Sequence, residues 1–400
     1  MPAVRDVLIS GAGIAGPALA HWLHHHGIRA TVVERAPSVR PGGYAIDLRG
    51  VAIDVAERMG ALDEIRRNLT EMDRVTLTDA RGRQVGFSSS ATIDGGRSLE
   101  ILRGDLVRIL HTPTTAYTEY LYDDTLTALD REGDRVRATF LNAAPRTFDL
   151  VVGADGLHST TRRLAFGPEE RYARFLGAYI SIFTVPDHLG LDREAVLFNV
   201  PGKGAGMYQT PRADGAKGIL LVRSPRPTGI DRRPAAAQKA YLRAEFTGLG
   251  WETGRILDAM DTAEDFYFDS VTRIHMGSWA AGRVALAGDA GYCPSPMSGQ
   301  GTSLALVGTY VLAEELARSR TVEHALAGYQ ARMRPYADAN QSIADAGLGF
   351  LAPRTRRGIA LRDTALRVGG PLLTLLGRFD RRLPNASESL DLDAPPPPRP

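Results

Sequence analysis

The stretch "DVLISGAGIAGPALAHWLHHHGIRATVVE", residues 6–34, decides the architecture. A short apolar run, a glycine turn, an apolar helical run ending at Gly27 and a β-branched run closing on Glu34 spell strand, turn, helix, strand. Pro17 falls in the first helical turn, where its missing N–H costs nothing. Connections this short between two strands of like direction predict a parallel sheet with a right-handed crossover. The turn carries Gly11-x-Gly13-x-x-Gly16. Such glycines allow a tight turn, close approach of backbone to a pyrophosphate, and close packing of helix on strand. The helix N-terminus then offers N–H groups and the positive end of its dipole to phosphate. Glu34 ends the second strand, where a carboxylate accepts ribose hydroxyls. This is a Rossmann-like α/β start with a dinucleotide site.

Further along, "DLVVGADGLHSTTRR" (149–163) reads as a buried strand running into a turn with Asp155-Gly156. "RVALA" (283–287) reads as another, followed by "GDAGYCPSPMSGQG" (288–301) and a long helical run from Thr302. Prolines and glycines this dense exclude regular structure and hold a loop in one backbone path. Between them, residues 171–270 change texture. "AYISIFTV", "AVLFNV", "GMYQT" and "GILLVRS" are strands split by turn residues, which predicts an antiparallel sheet interrupted by the helix "AAAQKAYLRAEF". The organisation expected is therefore a dinucleotide-binding domain over 1–170 and 271–332, with 74–99 pairing onto the sheet of an inserted substrate domain, 171–270. C-terminal helices over 333–389 and a disordered tail, 390–400, complete it.

Composition narrows the class. The 400 residues are 44% hydrophobic and 24% charged with a net charge of +2, which suits a soluble globular protein and gives no electrostatic case for nucleic acid or an anionic membrane. No apolar window reaches the roughly 18–20 residues of a membrane span. The single cysteine, Cys293, excludes an intrachain disulfide and a cysteine metal cluster, which fits a cytoplasmic protein. His21 and His25 share a helix face with no acidic ligand near them in sequence, so they read as a solvated face and no metal is expected.

GxGxxG near the start, DGxxSxxR in the middle and GD with a Pro/Gly-rich loop late, in that order, resemble the single-component FAD-dependent aromatic hydroxylases. That group includes para-hydroxybenzoate hydroxylase and the tetracycline-inactivating monooxygenases, and the resemblance spans about residues 4–340. It implies FAD as cofactor, with NADPH or NADH docking transiently as co-substrate, because only one nucleotide fingerprint is present. Gly11, Gly13, Ala15, Gly16, Glu34 and Arg35 match the motif for the adenosine half of FAD, and Arg103 resembles an arginine at the diphosphate. Asp289 resembles the aspartate on the ribityl chain, Asp47 a residue lining the flavin, and Asp155 the aspartate of the DG motif that serves both cofactors. Gly299, Gly301 and Thr302 match the loop and helix start facing the reduced ring. Arg40 resembles the nicotinamide-cofactor arginine, and Pro296 the proline whose carbonyl borders the reacting centre. The commoner pattern after GD is Ala-Ala-His, where this chain has Ala290, Gly291 and Tyr292; the usual Asn and Asp of the following helix are Ser303 and Gly308.

The implied reaction is hydride transfer to FAD, formation of a C4a-hydroperoxide with O2, and delivery of oxygen to a phenolic or enolic, planar polycyclic small molecule. Phe183, Phe198, Met207, Tyr208, Gln209 and Arg223 are the candidate substrate contacts, and no catalytic base is identifiable. Flavin-dependent halogenases are excluded, since no lysine precedes Lys203 and no W-x-W-x-I-P loop is present. A Baeyer–Villiger or epoxidising oxygenase, and a non-catalytic flavin-fold binding protein, remain open, as does monomer or homodimer.

Overall fold

The strand Asp6–Ser10 sits in the middle of a six-stranded sheet, buried on both faces as its unbroken apolar run requires. The computed structural model describes residues 4–39, 43–89, 97–210, 215–376 and 386–394. Arg29–Val33 and Leu150–Gly153 flank the central strand in parallel, and Glu119–Leu121 and Val284–Leu286 extend the parallel set outward. Three glycine turns therefore leave the same edge of the sheet: Gly11 after Ser10, Ala154–Gly156 after Gly153, and Gly288 after Ala287. In open α/β sheets that carboxyl edge is where ligands bind.

The helix Ala15–His25 packs against the long helix Gly301–Arg318, and both cover one face of this sheet. A three-stranded antiparallel sheet built from Leu126–Glu132, Arg135–Phe140 and Arg146–Phe148 covers the other. The middle of the chain forms a separate seven-stranded sheet. Its edge strands are Tyr267–Ile274 and Gln84–Ser89, and Arg74–Thr78 joins it in parallel with Glu194–Val200. Helices Ala235–Phe246 and Thr253–Thr262 lie on one face of that sheet. The other face rests on the Pro/Gly loop through Met297 and on the helix Ala344–Leu351.

The C-terminal segment departs from the disordered tail expected over 390–400. Leu390 and Leu392 are buried in the main core, Asp393 pairs with Arg58, and Arg332 donates to the Leu392 carbonyl. The short apolar pattern "LDL" was too brief to outweigh the prolines that follow it; residues 395–400 lie outside the described residues.

Two of the residues that depart from the commoner pattern around the GD loop, Tyr292 and Gly308, pack against one another. Tyr292 turns inward, its ring on Trp279 and its hydroxyl bonded to that of Tyr329 at 2.9 Å. A β-carbon at Gly308 would lie 1.9 Å from the Tyr292 hydroxyl oxygen. Alanine normally gains about 1 kcal/mol over glycine inside a helix. Here Gly308→Ala is expected to cost about 1–3 kcal/mol through overpacking, and Tyr292→Phe in the same chain to recover part of it. Thermal melts of the two variants check this; a Gly308→Ala protein as stable as the parent would contradict it.

Candidate functional site

At one end of the sheet edge, the phosphate turn is shaped by its neighbours. Gly11 has φ +107°, and a β-carbon there would lie 2.5 Å from the Ala154 carbonyl oxygen; at Gly16 it would lie 1.9 Å from the Gly11 oxygen. Only hydrogen fits at either position. The Glu34 carboxylate braces the turn, accepting from Ala12 N (2.8 Å) and Ala36 N (2.9 Å) with one oxygen each. Each oxygen keeps a lone pair, the acceptor set that two ribose hydroxyls need. The Arg103 guanidinium lies over the turn, with Nη2 3.6 Å from where a Gly13 β-carbon would stand. A cation and the open N-terminus of the helix Ala15–His25 thus face the same point, a fit for pyrophosphate. Ala15 is buried behind the turn, and Arg35 is exposed beyond Glu34.

Asp155 is turned inward. It accepts from Ser159 Oγ, Ser10 Oγ (3.3 Å), Thr161 N (2.9 Å) and Thr161 Oγ1 (3.0 Å). Oδ2 carries the bonds from Ser10 and Thr161, while Oδ1 accepts from Ser159 alone and keeps acceptor capacity beside the Gly156 turn. Arg162, fully buried, closes the DGxxSxxR motif by donating to Leu157 O (2.6 Å), Ala290 O (2.9 Å) and Glu169 Oε2 (2.7 Å). One guanidinium so ties the DG turn to the GD segment.

The GD segment opens with Gly288, wedged between the β-carbons of Ala15 and Ala305, and continues into the short helix Asp289–Tyr292. Asp289 Oδ1 stands 3.7 Å from where a Gly301 β-carbon would be. Burial pushes its carboxyl above the usual range, opposed by a hydrogen bond from Cys293 and the charge of Arg103. Burial likewise raises the Cys293 thiol well above its ordinary value, so it stays protonated and unreactive. Ser295 holds φ +83°, unusual for a residue with a β-carbon, and Pro296 opens a short 3-10 turn that closes at Gly299 with Gly299 N donating to the Pro296 carbonyl. Pro296 is exposed, whereas Met297 and Ser298 beside it are buried. The helix Gly301–Arg318 starts directly afterwards without a side-chain cap, so its first N–H groups, at Gly301, Thr302 and Ser303, lack intrahelical acceptors. On the far side of the loop, Asp47 Oδ2 lies 3.2 Å from where a Gly299 β-carbon would be, and Arg49 Nη2 lies 3.6 Å from it. A slot results: Asp289 at one end, Asp47 and Arg49 at the other, and an open helix N-terminus beneath. Its glycines admit a flat ring against backbone. Together with the phosphate turn and Arg103, this donor and acceptor set fits FAD.

The seven-stranded sheet presents alternate residues to this slot. Ile180, Leu221 and Val271 pack on Met297, with Ile182, Ile219 and Tyr267 partly buried beside them. Phe183, Phe198 and Met207 alternate onto the opposite face, buried among Leu242, Phe246, Ile256 and Met260. Strand parity assigns them to the core, and the expectation that they meet substrate is corrected accordingly. Arg223 is corrected as well: it donates to Leu348 O (2.9 Å) and Ala352 O (2.6 Å), the last carbonyls of the helix Ala344–Leu351. Tyr208 does reach the slot, accepting from Ala45 N at 3.1 Å on the strand that carries Asp47; Gln209 follows it, half-buried. Arg40 lies outside the described residues.

Sequence reasoning missed Tyr44, Arg49, Tyr267 and Asp269. The Tyr44 and Tyr267 rings lie 5.7 Å apart at the slot, and burial raises both hydroxyls. Arg49 and Asp269 were legible only as alternate positions of strands whose inner face was not yet known. Asp269 also holds His158, from the DG turn, at 3.2 Å, while Glu169 takes its other nitrogen at 3.0 Å.

The chain matches the FAD binding domain family over residues 5–343. A flavin-dependent monooxygenase from an unknown prokaryotic organism is 43% identical over 349 residues, covering 86% of this chain and 89% of that one. An uncharacterised protein of Mycobacterium tuberculosis is 43% identical over 355 residues, covering 88% and 95%. The crystal structure of tetracycline destructase Tet(55) superimposes with a TM-score of 0.85 at 38% identity, over 98% of this chain and all of that one. Among the described residues, no helix is long and apolar enough to cross a membrane.

Two expectations follow from the geometry. Asp289→Ala removes a charged hydrogen-bond partner, of the kind that contributes about 1.5–3 kcal/mol; fluorescence titration of the apoprotein should show FAD binding at least about ten-fold weaker. Two carboxylates push the His158 imidazole up to about 10, above the roughly 6.5 of an unfolded chain. The folded state therefore binds the extra proton, so this contribution is complete below pH ~6.5 and is lost as pH rises towards 10. Urea midpoints should fall across that window in the parent and less in His158→Gln; parallel curves would refute the assignment.

Proposed function

The chain belongs to the FAD binding domain family and is an FAD-dependent monooxygenase of the aromatic hydroxylase type; on that premise we propose that it uses NAD(P)H and O2 to hydroxylate a phenolic or enolic, polycyclic aromatic small molecule. One observation carries the reading. The Asp47–Gly299–Asp289 slot, with its uncapped helix N-terminus, opens towards a sheet face bearing Tyr208, Tyr267, Ile182 and Ile219. That face is apolar with phenols at its border, suited to a planar substrate of low charge.

Bound FAD supplies acceptance of hydride from a nicotinamide and activation of O2 for transfer of an electrophilic oxygen. In our reading, the chain does the rest. Glu34, Arg103 and the phosphate turn anchor the adenosine and diphosphate end. Asp289 accepts from the ribityl hydroxyls, with Cys293 and Arg103 beside it to steady the buried carboxyl. The N–H groups at Gly301 and Thr302 meet negative charge arising at the ring. Pro296, exposed on the rim of the loop, borders the place where substrate and ring meet.

The helix Arg356–Leu376 adds cover to the same domain. It lies on the same sheet face at the far edge, with the Asp363 carbonyl oxygen and Leu366 Cβ each 3.5 Å from where a Gly86 β-carbon would stand. Arg362 in that helix donates to Asn199 Oδ1 (2.7 Å) and to Phe350 O (2.8 Å), linking it to the sheet and to the preceding helix. A dry pocket prevents loss of the activated oxygen to solvent.

The curated relative called a flavin-dependent monooxygenase and the solved tetracycline destructases favour a tetracycline as first probe, since these are similar over most of the chain. Purified protein should be yellow and should oxidise NADPH faster when the substrate is present. With labelled O2, mass spectrometry should find one labelled oxygen atom in the product of a tetracycline or a related polycyclic phenol. A colourless protein that takes up no FAD would defeat the reading. Ring-inserted oxygen would favour Baeyer–Villiger chemistry in the same pocket.

A further inference from the structure

Asp47 and Arg49 are alternate residues of the strand Ala45–Arg49 and so share one face of it. Their side chains form an ion pair at 3.1 Å, with only 19% and 10% of their surfaces exposed. Both lie within 4 Å of where a Gly299 side chain would begin, Asp47 Oδ2 at 3.2 Å and Arg49 Nη2 at 3.6 Å. The strand is fixed there: Arg49 N donates to Ser303 Oγ at 3.0 Å, in the first turn of the helix Gly301–Arg318. As a source of stability a buried ion pair is weak, because desolvation offsets most of its attraction. As a source of field on a neighbour that changes charge it is strong, because low dielectric and little bulk salt leave it unscreened.

We propose that this pair sets the reduction potential of the bound flavin, Arg49 favouring and Asp47 opposing the reduced ring. The inference rests on the reading that the ring lies against the Gly299–Gly301 loop. A hydride from a nicotinamide donor brings two electrons and one proton to a neutral oxidised ring, so the reduced ring carries one negative charge. The nicotinamide leaves as its oxidised cation, and the charge on the ring stays beside the pair. A fixed cation there lowers the free energy of the reduced form, and a fixed anion raises it. The uncapped helix N-terminus acts in the same direction as Arg49.

The test uses full-length, FAD-loaded protein and potentials measured by anaerobic reductive titration against a reference dye. Asp47→Asn, which keeps shape and removes one negative charge, should raise the potential. Arg49→Met, which leaves Asp47 uncompensated, should lower it. Each should change the ratio of reduced to oxidised flavin at fixed ambient potential by about ten-fold or more, which is about 30 mV for a two-electron couple. Arg49→Lys should stay close to the parent. Opposite signs for the two charge-removing variants are what a purely structural pair would not produce. Shifts of the same sign, or none, in variants that retain full flavin overturn the proposal. If Arg49→Met does not fold, Asp47→Asn decides alone, since an unchanged or lowered potential in that isosteric variant overturns it. Parent protein that takes up no FAD overturns the cofactor reading instead, and with it this inference.

Discussion

Backbone touches backbone at the carboxyl edge of the parallel sheet, and the rest of the site depends on that contact. Gly11 has room only for hydrogen because the Ala154 carbonyl stands against it, and Gly16 has none because Gly11 does. Gly288 is held between Ala15 and Ala305. These contacts draw together three turns that are far apart in the chain. They also bring two helix N-termini, at Ala15 and Gly301, to neighbouring points over one edge. Adding a methyl group at Gly11 or Gly16 would separate the turns, and the converging N–H groups would no longer address one ligand. The constraint is steric, but its product is electrostatic.

Charge is distributed around that contact in two ways. Some groups are spent largely on the chain: Asp155 satisfies Ser10, Ser159 and Thr161, and Arg162 joins the DG turn to the Ala290 carbonyl while pairing with Glu169. Others are held in place by few bonds and keep acceptor capacity free. Glu34 uses one lone pair on each oxygen, and Asp289 is steadied by Cys293 and Arg103 without a full set of donors. The first kind builds a rigid frame, and the second keeps acceptors available on it to a ligand. Groups held by several hydrogen bonds at once cannot change partners cheaply, which favours a frame that keeps its shape whether or not the second set is engaged.

Much of this was legible in the residues. The glycine turns, their order and the helix behind each follow from local pattern, because the sterics that demand glycine act over a few residues. Phe183, Phe198 and Met207 were misassigned for a definite reason: a large apolar residue in a strand advertises burial, and the face it occupies depends on which layer covers which side. Two helices, Ala235–Phe246 and Thr253–Thr262, claim that face here. Arg223 looked like an anchor for ligand because its carbonyl partners belong to a helix more than a hundred residues later. Long-range pairing of this kind leaves no local signature. Residues 390–394, expected within a disordered tail, were misjudged in the same way, as Leu390 and Leu392 find a core that the local sequence does not reveal.

The departures from the commoner motif take on meaning once their contacts are known. Gly291 is confined by Leu286 and Trp279, Tyr292 fills the volume that a side chain at position 308 would need, and Gln341 donates to the carbonyls of Ile274, Tyr292 and Cys293. These changes form one repacking on the side of the loop that faces the core, and they leave the opposite side, with Asp289, Gly299 and Gly301, free of side-chain intrusion. Ser303 belongs to the other group. Its hydroxyl takes the Arg49 N–H and so couples the helix start to the strand beside the slot. A substitution that is compensated within the core alters packing alone. Ser303, by contrast, holds the strand that carries the buried Asp47–Arg49 pair against the helix start, so its contacts lie beside the slot rather than in the core.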